Sequence, residues 1–275
     1  MLARPHTLCQ NRSRSDSSGG AFITVAQLIK NCIPARLRGF TADVVGVYDV
    51  RRELRELRAH VARVEQHLYE SQDIAAERSK TRWRNTAPTL SLTWDVALSG
   101  DAFVDKVSSY GAFGPDKSIL EIGPGYGRLP KSMLERRVPM RSYHGVDLSA
   151  KNVQMLQTTF QDPRMSFVQG DILQAPPPGT GFDVVVSSLV FKHLFPSFEK
   201  PLAHVAAALN PGAMVFIDLI EGRTRYFEDD DVTYLRHYSR DEIADIVGRA
   251  GLTLVGFDEV LHDADHPRLL FIARK

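Results

Sequence analysis

Cysteine is scarce: 275 residues contain two, Cys9 and Cys32. Both precede every motif described below, so the core has neither a disulfide framework nor a cysteine-based metal site, and a reducing, cytoplasmic setting fits. Net charge is also nearly absent, at a formal +1. That leaves no overall field to draw a polyanion or an anionic membrane, and no nucleic-acid partner is expected. No apolar run approaches the roughly 20 residues of a membrane span. The stretch AFITVAQLI, Ala21 to Ile29, is too short and too far from a basic start to serve as a secretory signal. An acid run at Glu228 to Asp231 reads as a solvated loop, because nothing near it fixes several oxygens around a hard cation, so no metal is expected.

Apolar residues make up 43% of the chain and charged residues 24%, ordinary proportions for a soluble domain. The length allows one α/β domain of roughly 180 to 200 residues with a smaller appendage. Residues 1–20 carry Arg4, Arg12, Arg14 and several serines but one acid, and are expected to form a disordered tail. Residues 21–96 are expected to form a helical N-terminal extension. Within it Val47, Val50, Leu54, Leu57, Val61, Val64 and Leu68 alternate spacings of three and four, a heptad-like stripe on one helix face. Opposite charges four apart, such as Arg52 and Glu56, support the helix. The stripe can pack on its own domain or pair two chains in a short homodimeric coiled coil.

From Ser118 the pattern becomes short apolar runs alternating with helical stretches, the signature of βαβ units and a mostly parallel sheet. Expected strands are Ser118–Gly123, Ser142–Asp147, Met165–Asp171, Phe182–Ser188, Ala213–Leu219, Leu252–Val260 and Arg268–Arg274. Helices are expected near Arg128–Arg136, Ala150–Thr159, Pro201–Leu209 and Arg240–Ala250. Ser239 and Glu242 have capping-box spacing ahead of the last helix, and Gly251 closes it.

The first strand runs into LEIGPGYGR, where Gly123, Gly125 and Gly127 crowd a strand-to-helix turn. Free backbone N–H groups there can cradle a ligand, and a bare Cα lets it approach. A dinucleotide fingerprint needs a glycine at position 128, which is Arg128, so the nicotinamide reading loses its third glycine. Glu121, just before the loop, brings a carboxylate near the ligand, which suits a cationic ligand better than a pyrophosphate. Asp147 ends the second strand, where a carboxylate can accept from both ribose hydroxyls. Asp171 and Ile172 follow the third.

Taken together, LEIGPGYGR, GVDLS, QGDIL, FDVVVSSLVFKHL and LNPGAMVFIDL resemble the successive motifs of the class I S-adenosylmethionine-dependent methyltransferases, over roughly Ala97 to Lys275. The resemblance implies a Rossmann-like α/β fold with a seven-stranded, mostly parallel sheet and an antiparallel last strand. It also implies S-adenosylmethionine as cofactor. Glu121, Gly123, Gly125 and Gly127 would surround its methionine part, Asp147 the ribose, and Asp171 and Ile172 the adenine, with Leu148 and Ser188 as further cofactor contacts. The segment SSLVFKH, Ser187 to His193, lacks the Pro-Pro-aromatic signature of the family's adenine- and glutamine-modifying branches, which favours O-methylation of a small-molecule, lipid or glycan hydroxyl. His193 is the first candidate for a general base, because an imidazole ordinarily titrates near neutrality.

Further candidates are Tyr126, Lys192, Glu221, His237 and Tyr238. The polar segment Glu221–Leu235 lies where the family builds a substrate lid. Thr93–Val107 is expected to form a lead-in helix with Trp94 and Phe103 over the cofactor pocket. The alternatives are a nicotinamide-dependent oxidoreductase and a non-catalytic cofactor-binding scaffold.

Overall fold

The computed structural model describes residues 47–85, 99–228, 232–261 and 267–275. The expected tail, both cysteines, the Ala21–Ile29 run, Trp94 and the acids at 229–231 lie outside the described residues. The chain divides into two units that part between His67 and Leu68. Helix α1, Val47–Asn85, confirms the helical spacing read from the heptad-like stripe. Val50, Leu54, Leu57, Val61 and Val64 are 45–58% exposed, so this stripe is an open face rather than a packed one. The side chains of Val47, Arg52 and Leu68 lie outside what is described. Among the described residues, no helix is long and apolar enough to cross a membrane.

The sheet is built outward from β1, Ser118–Ile122, whose five residues are all buried. A parallel strand covered on both faces reads as a continuous apolar run, and SILEI breaks that rule only at Glu121. β1 pairs in parallel with β2, Ser142–Asp147, and with β4, Phe182–Ser187. β2 pairs with β3, Met165–Gln169, and β4 with β5, Leu209–Glu221. β9, Pro267–Arg274, runs antiparallel between β5 and β8, Thr253–Leu261. The order is therefore β3-β2-β1-β4-β5-β9-β8, the seven-stranded arrangement with an antiparallel last strand.

Alternate residues along each strand feed opposite faces. Leu120, Ile122, Val185, Val215 and Ile217 join one core layer. Ile119, Val184, Val186 and Phe216 join the other. α5, Glu199–Ala207, and α6, Arg240–Arg249, cover the first layer through Leu202, Val205, Ile243 and Ile246. α2, Asp101–Ser109, α3, Arg128–Glu135, and α4, Ala150–Thr159, cover the second. The Ser239 side chain accepts from the Glu242 N–H, as the capping spacing requires, and Gly251 follows α6 at φ +72°.

Two expectations change. Phe103 is fully buried in the second core layer instead of covering a pocket, because α2 turns its apolar face onto α3 and the sheet. The polar insertion after β5 is a hairpin of β6, Arg225–Phe227, and β7, Tyr234–Tyr238, and β7 continues the sheet beside the end of β5. Its signal was weak because the strands are short and polar on one side, while Tyr234, Leu235 and Tyr238 turn inward.

Candidate functional site

Strand order reverses between β1 and β4, and the crevice at such a reversal, outside the carboxyl ends of the strands, is where open α/β sheets bind ligands. The glycine loop lies in that crevice, with Gly123, Gly125 and Gly127 all at positive φ, but the three glycines do different work. A Cβ on Gly123 would meet the Val190 side chain at 2.4 Å, and one on Gly127 would meet the Phe160 ring at 2.5 Å. Gly125, at φ +58°, has nothing within 4 Å of its would-be Cβ. Gly125 thus keeps open space where a ligand can come close to the backbone. Gly127 caps α3, and a Cβ there would meet the Phe160 ring and Leu156 at the end of α4.

A cavity of about 220 Å³ opens here, and Glu121, Gly123, Gly125, Asp147, Leu148, Asp171, Ile172, Ser188 and His193 all line it. Of the residues expected to contact the cofactor, only Gly127 is outside this lining. Asp147 is 7% exposed and braces the loop. Its carboxylate accepts from the Gly125 N–H at 2.9 Å, the Ser149 N–H at 2.8 Å and the Asn152 amide at 3.2 Å. Burial raises its pKa, and those three donors oppose the rise. Asn152 also lines the cavity beside Asp147.

Glu121 is 2% exposed and takes the Tyr143 hydroxyl as a donor. Burial drives its pKa up to about 8 against that bond and the nearby Arg128 charge. A buried acid of this kind ionises readily only when a cation arrives. Asp171 is engaged with Lys80 of α1, an ion pair whose side chains are 12% and 20% exposed, and the carboxylate also accepts from the Leu173 N–H at 3.1 Å.

Beyond β4 the chain turns at Leu189, which holds φ +66° without being glycine. Asp218 at the end of β5 fixes this conformation, accepting from the Leu189 N–H at 2.7 Å and the Ser188 hydroxyl at 2.8 Å. Arg128 reaches the same hydroxyl at 2.9 Å. His193 sits in the short 3-10 turn Phe191–His193, and its Nδ1 lies 2.7 Å from the Tyr234 carbonyl. A carbonyl only accepts, so Nδ1 carries the hydrogen and the neutral ring presents Nε2 as an acceptor. Burial, aided by Lys192, lowers the pKa of His193 to about 3. Burial thus favours the neutral ring.

The other candidates separate. Tyr126 lines the cavity. Glu221 pairs with Arg240 at 2.8 Å on the surface, His237 meets the Thr224 hydroxyl at 2.8 Å, and Tyr238 is a core residue. Lys192 is buried outside the cavity lining, and burial lowers its pKa to about 8. Among the described residues the hairpin contributes the Tyr234 carbonyl beside His193 and none of the cavity lining. Instead α1 supplies a wall through Ala76, Ser79, Lys80 and Trp83. Their spacing of three and four was readable, but a row of small, polar and aromatic residues does not stand out as an apolar stripe does.

A parallel sheet reversing at a glycine loop, with acids at the ends of neighbouring strands, defines a nucleoside-binding α/β domain. Residues 119–212 match the methyltransferase domain family. The chain is 36% identical over 104 residues to a phthiotriol/phenolphthiotriol dimycocerosates methyltransferase of Mycobacterium leprae, a match covering 38% of each. It is 33% identical over 110 residues to a fatty-acid O-methyltransferase of Mycolicibacterium smegmatis, covering 40% of this chain and 39% of that one. The chain thus spans under two fifths of those relatives' length. Among solved structures, an S-adenosylmethionine-dependent methyltransferase from Mesorhizobium loti aligns with TM-score 0.52 at 17% identity, covering 64% of this chain and 99% of that one. A Burkholderia thailandensis 1,6-didemethyltoxoflavin-N1-methyltransferase, with its substrate and S-adenosylhomocysteine bound, aligns with TM-score 0.51 at 19% identity, covering 79% and 89%. At these identities the likeness concerns the fold.

Proposed function

We propose that this protein transfers a methyl group from S-adenosylmethionine to an oxygen of a small-molecule, lipid or glycan acceptor, with a lipid-like acceptor favoured. The observation that carries this reading is the single cavity shared by the open face of Gly125, the buried acids Glu121 and Asp147, and His193. The lipid-acting relatives and the apolar residues Leu189, Val190, Leu194 and Phe195 on the cavity wall support the acceptor class.

When bound, the cofactor supplies an electrophilic methyl group; everything else is alignment by the chain. Glu121 would face the cationic methionine part, and Ser188 and the glycine loop would flank it. Asp147, with Asn152 beside it, would take the ribose hydroxyls, and Leu148 would pack against that part of the nucleoside. Asp171 and Ile172 would hold the adenine once Lys80 yields. His193 would accept a hydrogen bond from the acceptor through Nε2, held in that tautomer by the Tyr234 carbonyl. A ring with a pKa of about 3 orients an oxygen better than it removes a proton. The open stripe on α1 further supports pairing with a second copy of the chain.

Titration calorimetry with S-adenosylhomocysteine and with NADH tests the reading. Saturable binding of the first and none of the second is expected, and the reverse pattern would replace methyl transfer by hydride transfer.

A further inference from the structure

Five residues of α1, Val50, Leu54, Leu57, Val61 and Val64, are 45–58% exposed and follow one another at spacings of four, three, four and three. Single exposed apolar residues need no explanation, whereas a continuous row of them marks an interaction surface. The spacing is that of a coiled-coil seam. Written as heptads, Leu54 and Val61 take a positions, and Val50, Leu57 and Val64 take d positions. The row ends at Leu68, because the next two d positions are Ser71 and Arg78. The part of α1 that walls the cavity, from Ala76 to Trp83, comes later in the helix. The apolar row is therefore not used up by the site already described.

The charges beside the row narrow what can cover it. Glu53 takes a g position and Arg58 the e position five residues later, and both are exposed. In a parallel two-stranded coil, each g side chain reaches the e side chain of the following heptad on the other strand. A second copy of this chain would thus set Glu53 of each copy against Arg58 of the other, twice by symmetry. An antiparallel seam sets e against e and g against g. Positions 51 and 58 are both arginine, so that direction brings Arg58 against arginine and leaves Glu53 without its counter-charge. The helix is complementary to itself in the parallel direction.

We propose that two copies of this protein pair along Val50–Val64 as a parallel, in-register coiled coil, and that Glu53 and Arg58, meeting across the seam, select that direction. This deepens the pairing reading above and rests on it. In register, every a and d side chain meets its own counterpart, with Leu57 at the middle of the row. Both chains then leave the seam at the same end. About three heptads make a short coil, so the dimer is reversible and depends on concentration. Exposed charge pairs add little strength. Their effect lies in the difference between a direction that matches them and one that opposes like charges.

Sedimentation velocity of the full chain should show a reversible dimer. Glu53→Arg and Arg58→Glu each turn two attractive contacts into repulsive ones, and each should weaken the dimer about tenfold. Combining Glu53→Arg with Arg58→Glu restores both contacts in a parallel pair and should return the affinity to within about threefold of wild type. An antiparallel pair gains no such rescue. In a chain also carrying Cys9→Ser and Cys32→Ser, Val50→Cys should cross-link two copies on mild oxidation, because in-register chains meet at that position. An antiparallel seam holds the two thiols about 16 Å or more apart along the axis, beyond disulfide reach. A monomeric wild type would assign the row to another occupant, and a trimer to a different assembly; either overturns the pairing of two copies. A dimer that ignores both single reversals, is not rescued by the double one, or fails to cross-link would overturn the parallel direction. S-adenosylhomocysteine affinity should be unchanged in every variant, and its absence from the wild type would overturn the methyl-transfer reading alone.

Discussion

Replacing Glu121 by glutamine isolates the charge that the cavity holds in reserve. Its carboxyl, with a pKa of about 8 against an ordinary 4.5, is about one hundredth ionised at pH 6 and about a quarter ionised at pH 7.5. If the cationic methionine part binds the carboxylate form, cofactor affinity should climb about 20-fold over that interval, and at pH 7 about 0.9 proton should leave with each molecule bound. Calorimetry in buffers of different ionisation enthalpy reads the proton directly. Glu121→Gln should flatten the pH dependence and abolish the release. The same group sets a stability trend in the ligand-free protein. A carboxyl whose folded pKa is raised stabilises the fold fully below about pH 4.5, and that contribution is lost as pH rises through about 8. At pH 7 the mismatch spans about 2.5 pH units, so the glutamine variant should be more stable by up to about 3 kcal/mol, provided Tyr143 keeps its bond. A wild-type affinity flat between pH 6 and 7.5, with no proton released, would refute the assignment of Glu121 to the ligand's cation.

Three further outcomes are expected. Asp147→Ala strips the acceptor from Gly125, Ser149 and Asn152 and should weaken S-adenosylhomocysteine binding by about 1 to 3 kcal/mol; unchanged calorimetric affinity would contradict both its brace and its ribose role. Lys80→Met frees Asp171 from its ion pair. If the lysine competes with the adenine amino group, nucleoside binding should tighten about fivefold, the scale of a part-exposed pair worth about 1 kcal/mol; weaker binding would make Lys80 a ligand contact. Leu57, 58% exposed in the open stripe of α1, should be central to any pairing of two chains. Sedimentation velocity should find a dimer that Leu57→Lys dissociates without altering cofactor affinity, and a monomeric wild type would dismiss the pairing.

Much of the domain was legible because its strands are covered on both faces. Ser118–Ile122 and Phe182–Ser187 read as largely apolar blocks, and Asp147 closes the strand between Ser142 and itself at the edge of the cavity. Glycines carry less information than their count suggests. Gly123, Gly125 and Gly127 look alike in the sequence, yet only the direction of the absent Cβ separates the two that relieve packing from the one that faces open space. The acidity of Glu121 and the inertness of His193 were hidden for another reason. Both depend on burial and on charges far away in the chain, such as Arg268 near His193. Lys80 and Trp83 escaped notice because helical propensity says nothing about which face a tertiary contact will use. The β6–β7 hairpin was obscured by its own polarity, since three- and five-residue strands with one wet face barely differ in composition from a loop.

The tether on His193 is a main-chain carbonyl, and main-chain groups are blind to amino-acid identity. Substitutions along the hairpin should therefore leave the imidazole's hydrogen where it is, whatever side chain stands at position 234. Carbonyls alternate sides along a strand, so inserting or deleting a single residue ahead of Tyr234 would swing that oxygen away. This ring is thus indifferent to spelling in the hairpin but sensitive to its length.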